Sequence, residues 1–235
     1  MRYMGSKRQL AKHIIPVIQS FIADDCVGYY EPFTGGGNVI DKITCKNRIG
    51  ADIEPYVIAC LSALRDGWDP PKVVDEALYK DIQKHKESYA PELVGYVGYQ
   101  LSYGGKFFGG YRRDKEGKRD YCAEAYRFTQ KQIPLLSGIE FICQDYRERD
   151  LSGMDGWVIY CDPPYRYSTK YSTGEFSYEN FYDWCRLAAK RNIVIISEEW
   201  MPDDFEVIWS KSVNTCLDSG RKKGKERVER LFLLK

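Results

Sequence analysis

Leu10, Ile14, Ile15, Ile18 and Phe21 or Ile22 recur at helical spacing, which predicts an amphipathic helix over about 7–22. Short apolar runs predict strands near 27–30 and 49–52, with a helix over about 55–65. That helix is stopped by Asp66-Gly67-Trp68-Asp69-Pro70-Pro71. Helix-like stretches over 72–88, 91–101 and 121–134 then flank Ser102–Lys118, a Gly-rich, aromatic and basic run too polar to read as core. Strand signals return near 139–143 and 157–161, followed by a helix near 178–190 and a buried strand over 192–197. Two last strands, 205–213 and 228–234, follow without an intervening helix and bracket a basic loop over 219–227. Alternating strands and helices predict an α/β chain with a mostly parallel sheet, and the closing pair an antiparallel hairpin on it. We expect one domain from 1–66 and 137–235, interrupted by a mainly helical insertion over 67–136. No internal repeat is present.

Chemistry concentrates where these strands stop. The run Trp157-Val158-Ile159-Tyr160-Cys161 leads straight into Asp162-Pro163-Pro164-Tyr165. Two prolines cannot continue a ladder, because each lacks an N–H and has its φ locked. The strand therefore ends abruptly and presents a carboxylate and a ring at its carboxyl end, the edge where open α/β sheets bind ligands. The Asp162 and Pro163 carbonyls are each followed by proline and so face no neighbouring amide donor. Acceptors beside a flat ring suit a planar amine, such as the exocyclic nitrogen of a nucleobase. The plainer alternative is a Pro-Pro turn with Tyr165 packed on the core.

Upstream, Glu31-Pro32-Phe33-Thr34-Gly35-Gly36-Gly37-Asn38 follows a short strand and precedes the helix-compatible Val39-Ile40-Asp41-Lys42. A strand, a Gly-rich turn and a helix let backbone approach a nucleotide-type ligand closely. The run is neither a P-loop nor a GxGxxG fingerprint, and Glu31 argues for a cationic or uncharged ligand over a phosphate. A second strand then ends in Asp52-Ile53-Glu54, where a carboxylate clamps ribose hydroxyls in such folds. Glu54 competes with Asp52 for that role.

Taken together and in this order, these motifs resemble the D12-class N6-adenine-specific DNA methyltransferases. The resemblance covers most of the chain and includes Tyr3-x-Gly5-x-Lys7-x-x-Leu10, Glu31–Gly37, Asp52, Phe141–Tyr146 and Asp162–Tyr165. With the cofactor loop first, an insertion next and the Asp-Pro-Pro-Tyr motif last, it follows that family's α arrangement. It implies a Rossmann-like S-adenosylmethionine-dependent methyltransferase sheet. It also implies that Lys7, with Tyr3 nearby, meets the methionine carboxylate of S-adenosylmethionine. Phe33 would line the methionine side, while Gly35 and Gly37 admit the cofactor to the backbone. Asp52 would take the ribose and Asp145, with Tyr146 beside it, the cofactor adenine. Asp162 would border both cofactor and target. Tyr99–Tyr111 resembles the family's recognition region only loosely, so no target sequence carries over.

Composition adds limits. A net charge of +1 gives no overall pull toward nucleic acid, and 43% hydrophobic with 29% charged residues is ordinary for a globular chain. Local charge is stronger: Tyr111–Arg119 and Arg221–Arg227 are basic runs able to supply phosphate contacts. Expected DNA contacts are Lys106, Tyr111, Arg112 and Arg113, secondarily Lys222 and Lys223, with Lys170 and Tyr171 in a Ser, Thr, Gly and Tyr-rich loop beyond Tyr165. Arginines can read guanine bidentately, whereas lysines more often meet phosphate. Eight cysteines form no C-x-x-C pair and no cluster with His13 or His85, so no metal site is expected. Cys143 and Cys161 read as small buried hydrophobes. Without a signal peptide or a membrane-length apolar run, the chain reads as cytoplasmic.

The expected reaction is methylation of adenine N6 in double-stranded DNA. That nitrogen is a poor nucleophile, because its lone pair is delocalised into the ring. Asp162 and the Pro163 carbonyl would draw hydrogen bonds from it, Tyr165 would stack the flipped base, and no cysteine nucleophile is needed. Amino methylation of cytosine N4, RNA adenine or a protein amide stays open, as does a non-catalytic DNA-binding subunit. A separate cognate restriction endonuclease and a monomeric or weakly dimeric state are further expectations.

Overall fold

The computed structural model describes residues 1–114, 116–165, 176–214 and 226–234; at 214, 226 and 227 only the backbone is described. Lys170, Tyr171, Lys222, Lys223 and most of the basic loop lie outside these residues. Seven strands form one sheet: β1 Gly28–Glu31, β2 Arg48–Asp52, β3 Ile139–Cys143, β4 Trp157–Cys161, β5 Ile193–Glu198, β6 Phe205–Asn214 and β7 Glu226–Leu234. Their spatial order is β3-β2-β1-β4-β5-β7-β6. The first five run parallel, and β7 enters antiparallel between β5 and β6. This is the mostly parallel, Rossmann-like sheet with a terminal antiparallel hairpin that the sequence predicts.

Alternation along the strands builds two apolar faces. Tyr29, Val158, Tyr160 and Ile195 turn to one side, while Tyr30, Ile159, Cys161, Val194 and Ile196 turn to the other. Helices α1 Ala11–Gln19, α2 Pro55–Arg65 and α4 Pro91–Gln100 contribute buried residues to the first face; α6 Tyr178–Ala188 seals the second with Phe181, Tyr182, Trp184 and Cys185. The remaining helices are α3 Glu76–Lys84 and α5 Tyr121–Gln132. Each fully buried large side chain contributes roughly 1.5–3 kcal/mol, so both layers are needed for stability.

Several expectations need correction. The first helix is broken at Leu10: a 3-10 turn at Lys7–Gln9 precedes α1, which stops at Gln19. After the Gly-rich turn there is only one 3-10 turn, Ile40–Lys42. The stretch 72–88 shortens to α3, whose N-cap Asp75 accepts from the Leu78 amide. Cys143 is exposed, because β3 is an edge strand of the sheet and its last residue turns outward, while Cys161 is buried as expected. Ser102–Lys118 is not excluded from the core. Ser102 and Gly105 are buried, and Phe107, Phe108 and Tyr111 pack on the same apolar cluster as the sheet. Aromatic rings offset the polarity of this run. Val74, Tyr79, Ile82, Val94, Tyr96 and Val97 also belong to that cluster, so residues 67–136 share the core of the remainder.

Candidate active site

Because β1 to β4 are parallel, their carboxyl ends lie along one edge, bringing Glu31, Asp52, the Asp145 turn and Asp162 to the same rim. Glu31 ends β1 and is buried. It accepts from the Tyr29 hydroxyl at 2.7 Å and the Thr34 hydroxyl at 3.1 Å. Gly35 and Gly37 adopt positive φ of 48° and 66°, which the turn requires. A side chain at Gly35 would also run into the Tyr3 ring, 2.9 Å from where its Cβ would stand. Asp52, buried at the end of β2, accepts from the Gly35 amide at 2.9 Å and the Glu54 amide at 3.0 Å. It thus fixes the Gly-rich turn from below. Glu54 instead caps α2 through the Tyr56 amide, separating the two acids by role.

Burial raises these acids. The Glu31 carboxyl is pushed up to about 8 by desolvation, against the pull of the Tyr29 and Thr34 hydrogen bonds, with Asp41 and Asp162 adding to the rise. Asp52 is raised to about 6, again by burial, with its backbone donors holding it lower. A raised carboxyl stabilises the fold while protonated, and that stability is lost as pH climbs through the native value. Asp52 completes its share near pH 6, so the window from pH 6.5 to 8 belongs to Glu31. The Met1 amine, lowered to about 5 by desolvation, acts in the opposite sense. The informative quantity is therefore the difference between wild type and Glu31→Gln in urea unfolding across that window. We expect wild type to lose stability relative to the variant by about 1 kcal/mol or more, at ~1.4 kcal/mol for each pH step over which the unfolded chain has released a proton that the native one keeps. Parallel pH profiles would contradict the assignment.

Asp162 leaves β4 under the same edge. Its carboxylate pairs with the Lys7 ammonium at 2.7 Å, and both side chains are largely buried. Burial raises the Asp162 carboxyl, and Lys7 draws it partly back. The same ammonium lies 4.5 Å from the centre of the Tyr165 ring. The Tyr165 hydroxyl is anchored behind, donating to Glu229 at 2.8 Å and meeting the Ser197 hydroxyl at 3.2 Å. The Tyr178 hydroxyl donates to the Pro164 carbonyl at 2.8 Å and holds the turn. Lys7, Asp162 and Tyr165 thus form one cluster.

Phe33 and Tyr146 meet at 5.2 Å in an aromatic group that includes Phe176 and Phe181. Asp145 caps the following turn and is clasped by Arg147, at 2.9 Å from Nε and 2.6 Å from a terminal nitrogen, which lowers its carboxyl. Tyr3 lies against Tyr99 at 5.1 Å.

The expected DNA contacts spread more widely. Lys106 is exposed. Tyr111 donates its hydroxyl to the Val74 carbonyl at 2.7 Å and packs on Tyr79, an internal use of that side chain. Arg113 pairs with Glu76 at 2.6 Å on the surface. Arg112 is half-buried, its guanidinium 4.0 Å from the Tyr121 ring centre. Sequence reasoning missed Glu229 and Ser197. For Glu229 a signal existed: alternation along β7 puts this acid on the face carrying Leu231 and Leu233.

Residues 3–98 match the model of the D12 class N6 adenine-specific DNA methyltransferase family. Over that stretch the chain is similar to the D12 class. The matched segment spans the Lys7 motif, the Gly-rich turn, Asp52 and α4. The chain is 22% identical over 216 residues to the type II methyltransferase M.FokI of Planomicrobium okeanokoites, across 80% of this chain and 31% of that protein. It is 25% identical over 152 residues to a DNA adenine methylase of Vibrio cholerae, across 57% of this chain and 55% of that one. The chain thus spans about a third to about half of the length of these curated relatives. Among solved structures, the rRNA methyltransferase aviRa of Streptomyces viridochromogenes aligns over 99% of this chain and 86% of its own, at 13% identity and a TM-score of 0.49.

Proposed function

We propose that this protein transfers a methyl group from S-adenosylmethionine to N6 of adenine in duplex DNA, acting on a base flipped out of the helix. The observation carrying the reading is Asp162 and Tyr165 together at the end of β4, on the same rim as the Gly-rich turn pinned by Asp52. The D12-class match over 3–98 supports the substrate and the base.

The donor set suits this cofactor. Glu31, Asp52 and Asp162 are buried acids whose carboxyls are raised by desolvation, so a cationic ligand would relieve them. Asp52 would hold the ribose, Asp145 the cofactor adenine, and Phe33 with Tyr146 would border them. Bound there, the cofactor supplies an electrophilic methyl on a sulfonium. The chain's own task is positioning: Asp162 and the Pro163 carbonyl accept from the amino group, and the Tyr165 ring receives the base. Flipping costs a few kcal/mol, which stacking and these hydrogen bonds offset. Lys7 now holds both the Asp162 carboxylate and the ring face, so an entering base takes over those contacts and frees Lys7 to meet a carboxylate of the cofactor.

The division into a catalytic part and a recognition insertion over 67–136 belongs to this reading, with Lys106, Arg112 and Arg113 among its DNA-facing candidates and Lys170, Tyr171, Lys222 and Lys223 as further ones. A separate cognate endonuclease is consistent with the likeness to M.FokI. Among the described residues no group of acids, histidines and cysteines could hold a metal, and no helix is long and apolar enough to cross a membrane. The decisive experiment transfers labelled methyl from S-adenosylmethionine to unmethylated duplex DNA and digests the product to nucleosides. Label in N6-methyladenosine is expected. Label in N4-methylcytidine would move the target base, and unlabelled DNA would overturn the proposal.

A further inference from the structure

Away from the Asp162 cluster, one surface gathers arginines around a single acid. Glu124 on α5 touches Arg2 and lies 3.8 Å from Arg112 and 3.9 Å from Arg119. Arg8 and Arg127 stand beside it: the Arg8 guanidinium is 4.4 Å from the Phe128 ring centre, which Arg2 also approaches at 5.5 Å. A cavity of about 360 Å³ opens there, lined by Lys118, Arg119, Asp120, Glu124, Arg127 and Phe128. Asp120 also lines it, its carboxylate capping α5 through the Ala123 amide at 2.9 Å, and Asp114 interacts with Arg119. The five guanidiniums still outnumber the acids around them.

Two buried donors in this cluster have no partner among the described residues, Nε of Arg2 and one terminal nitrogen of Arg112. Buried guanidinium N–H groups are costly to leave unpaired, and such orphans point to an anion that completes the set. The Phe128 and Tyr121 rings lie 4.4 Å from the Arg8 guanidinium and 4.0 Å from that of Arg112, and guanidiniums suit a planar or tetrahedral oxyanion. Arg8 immediately follows Lys7, which pairs with Asp162, so one member of the cluster is joined directly to the proposed site.

We infer that the Arg2, Arg8, Arg112, Arg119 and Arg127 cluster is a clamp for the phosphodiester backbone of duplex DNA beside the target base, with Glu124 as an internal counter-charge that the phosphates displace. The inference rests on duplex DNA as the substrate, and it joins part of the basic run 111–119 with Arg2, Arg8 and Arg127 in one surface. Glu124 holds the arginines in place when DNA is absent and limits their grip on any polyanion, so it tempers non-specific binding.

The test measures equilibrium binding of a labelled duplex to the full chain over a series of salt concentrations. It compares wild type, Arg119→Ala/Arg127→Ala and Glu124→Gln, with thermal unfolding as the control for folding. Both arginines are exposed, so the double variant removes little packing. Each lost phosphate contact lowers the slope of log affinity against log salt by about 0.9. We expect the double variant to lose about 1.8 from the slope and roughly tenfold in affinity at moderate salt. Glu124→Gln should move the other way, binding about threefold or more tightly, which a general loss of structure could not produce. Unchanged slopes in a chain that still binds and methylates DNA would overturn the clamp alone. Failure of the wild type to bind any duplex would overturn the clamp and the DNA reading together.

Discussion

Asp162→Asn is expected to lower methyl transfer to DNA by about a thousandfold or more, while affinity for S-adenosylmethionine falls by less than about tenfold. A thousandfold corresponds to ~4 kcal/mol, the scale of one well-aimed hydrogen-bonding group acting on a reacting centre. The asymmetry follows from position. Asp162 ends β4 beside Tyr165, whereas the turn at Gly35 is pinned by Asp52 on another strand. Asparagine is the milder substitution, because its amide oxygen can still accept from the Lys7 ammonium, whose side chain is only 5% exposed, whereas Asp162→Ala removes that acceptor as well as the charge. An uncompensated buried charge destabilises by several kcal/mol, and that loss would be mistaken for a loss of chemistry. Single-turnover rates and cofactor titration on the same preparation separate the two effects. Equal losses of turnover and cofactor affinity would contradict the role given to Asp162.

Gly95→Ala should lower stability by about 2–4 kcal/mol, close to the upper range for overpacked sites. Gly95 lies in α4 where that helix crosses α2, and a Cβ there would stand 2.1 Å from the Tyr56 carbonyl oxygen and 3.0 Å from the Cys60 Cβ. The obstacle is backbone, so no rotamer relieves it, and the helices must move apart. Alanine favours helix by ~1 kcal/mol over glycine, which makes the expected sign opposite to propensity alone. For a chain of this size the loss corresponds to a fall of very roughly 5–15 °C in the melting temperature. A variant as stable as wild type would mean that α2 and α4 do not pack this closely.

The same crossing explains what could be read from the chain alone. Strand positions were legible because apolar runs such as Trp157–Cys161 and Ile193–Ile196 are short, β-branched and bounded by breakers. The terminal hairpin was legible because no helical segment separates its strands. Helix limits were less so: Pro16 sits inside α1, where it is tolerated, and the actual break falls at Leu10 without any breaker residue. The misplaced polarity of Ser102–Lys118 has a similar cause. Its glycines suggested a surface loop, but Gly98 and Gly105 make room for rings and for the Tyr3 backbone, which lets Phe107 and Phe108 reach the core. The places of Asp52 and Asp162 on the rim were legible because a motif sets each at the end of a strand. Lys7 reads as a ligand of a cofactor carboxylate, whereas the fold sets it on Asp162, a contact between residues 155 positions apart (162 minus 7) that no local pattern encodes. Glu229 and Ser197 act only through Tyr165, so their part appears only once three strands are assembled.

That assembly has a consequence for the order in which the protein matures. During synthesis the turn at Gly35 and its support from Asp52 are available once β2 has emerged, early in translation. The ring of Tyr165 waits for Glu229, which arrives on β7, and β7 must slot between β5 and an already synthesised β6. A nascent chain therefore completes the Asp52 support well before it fixes the ring beside Asp162.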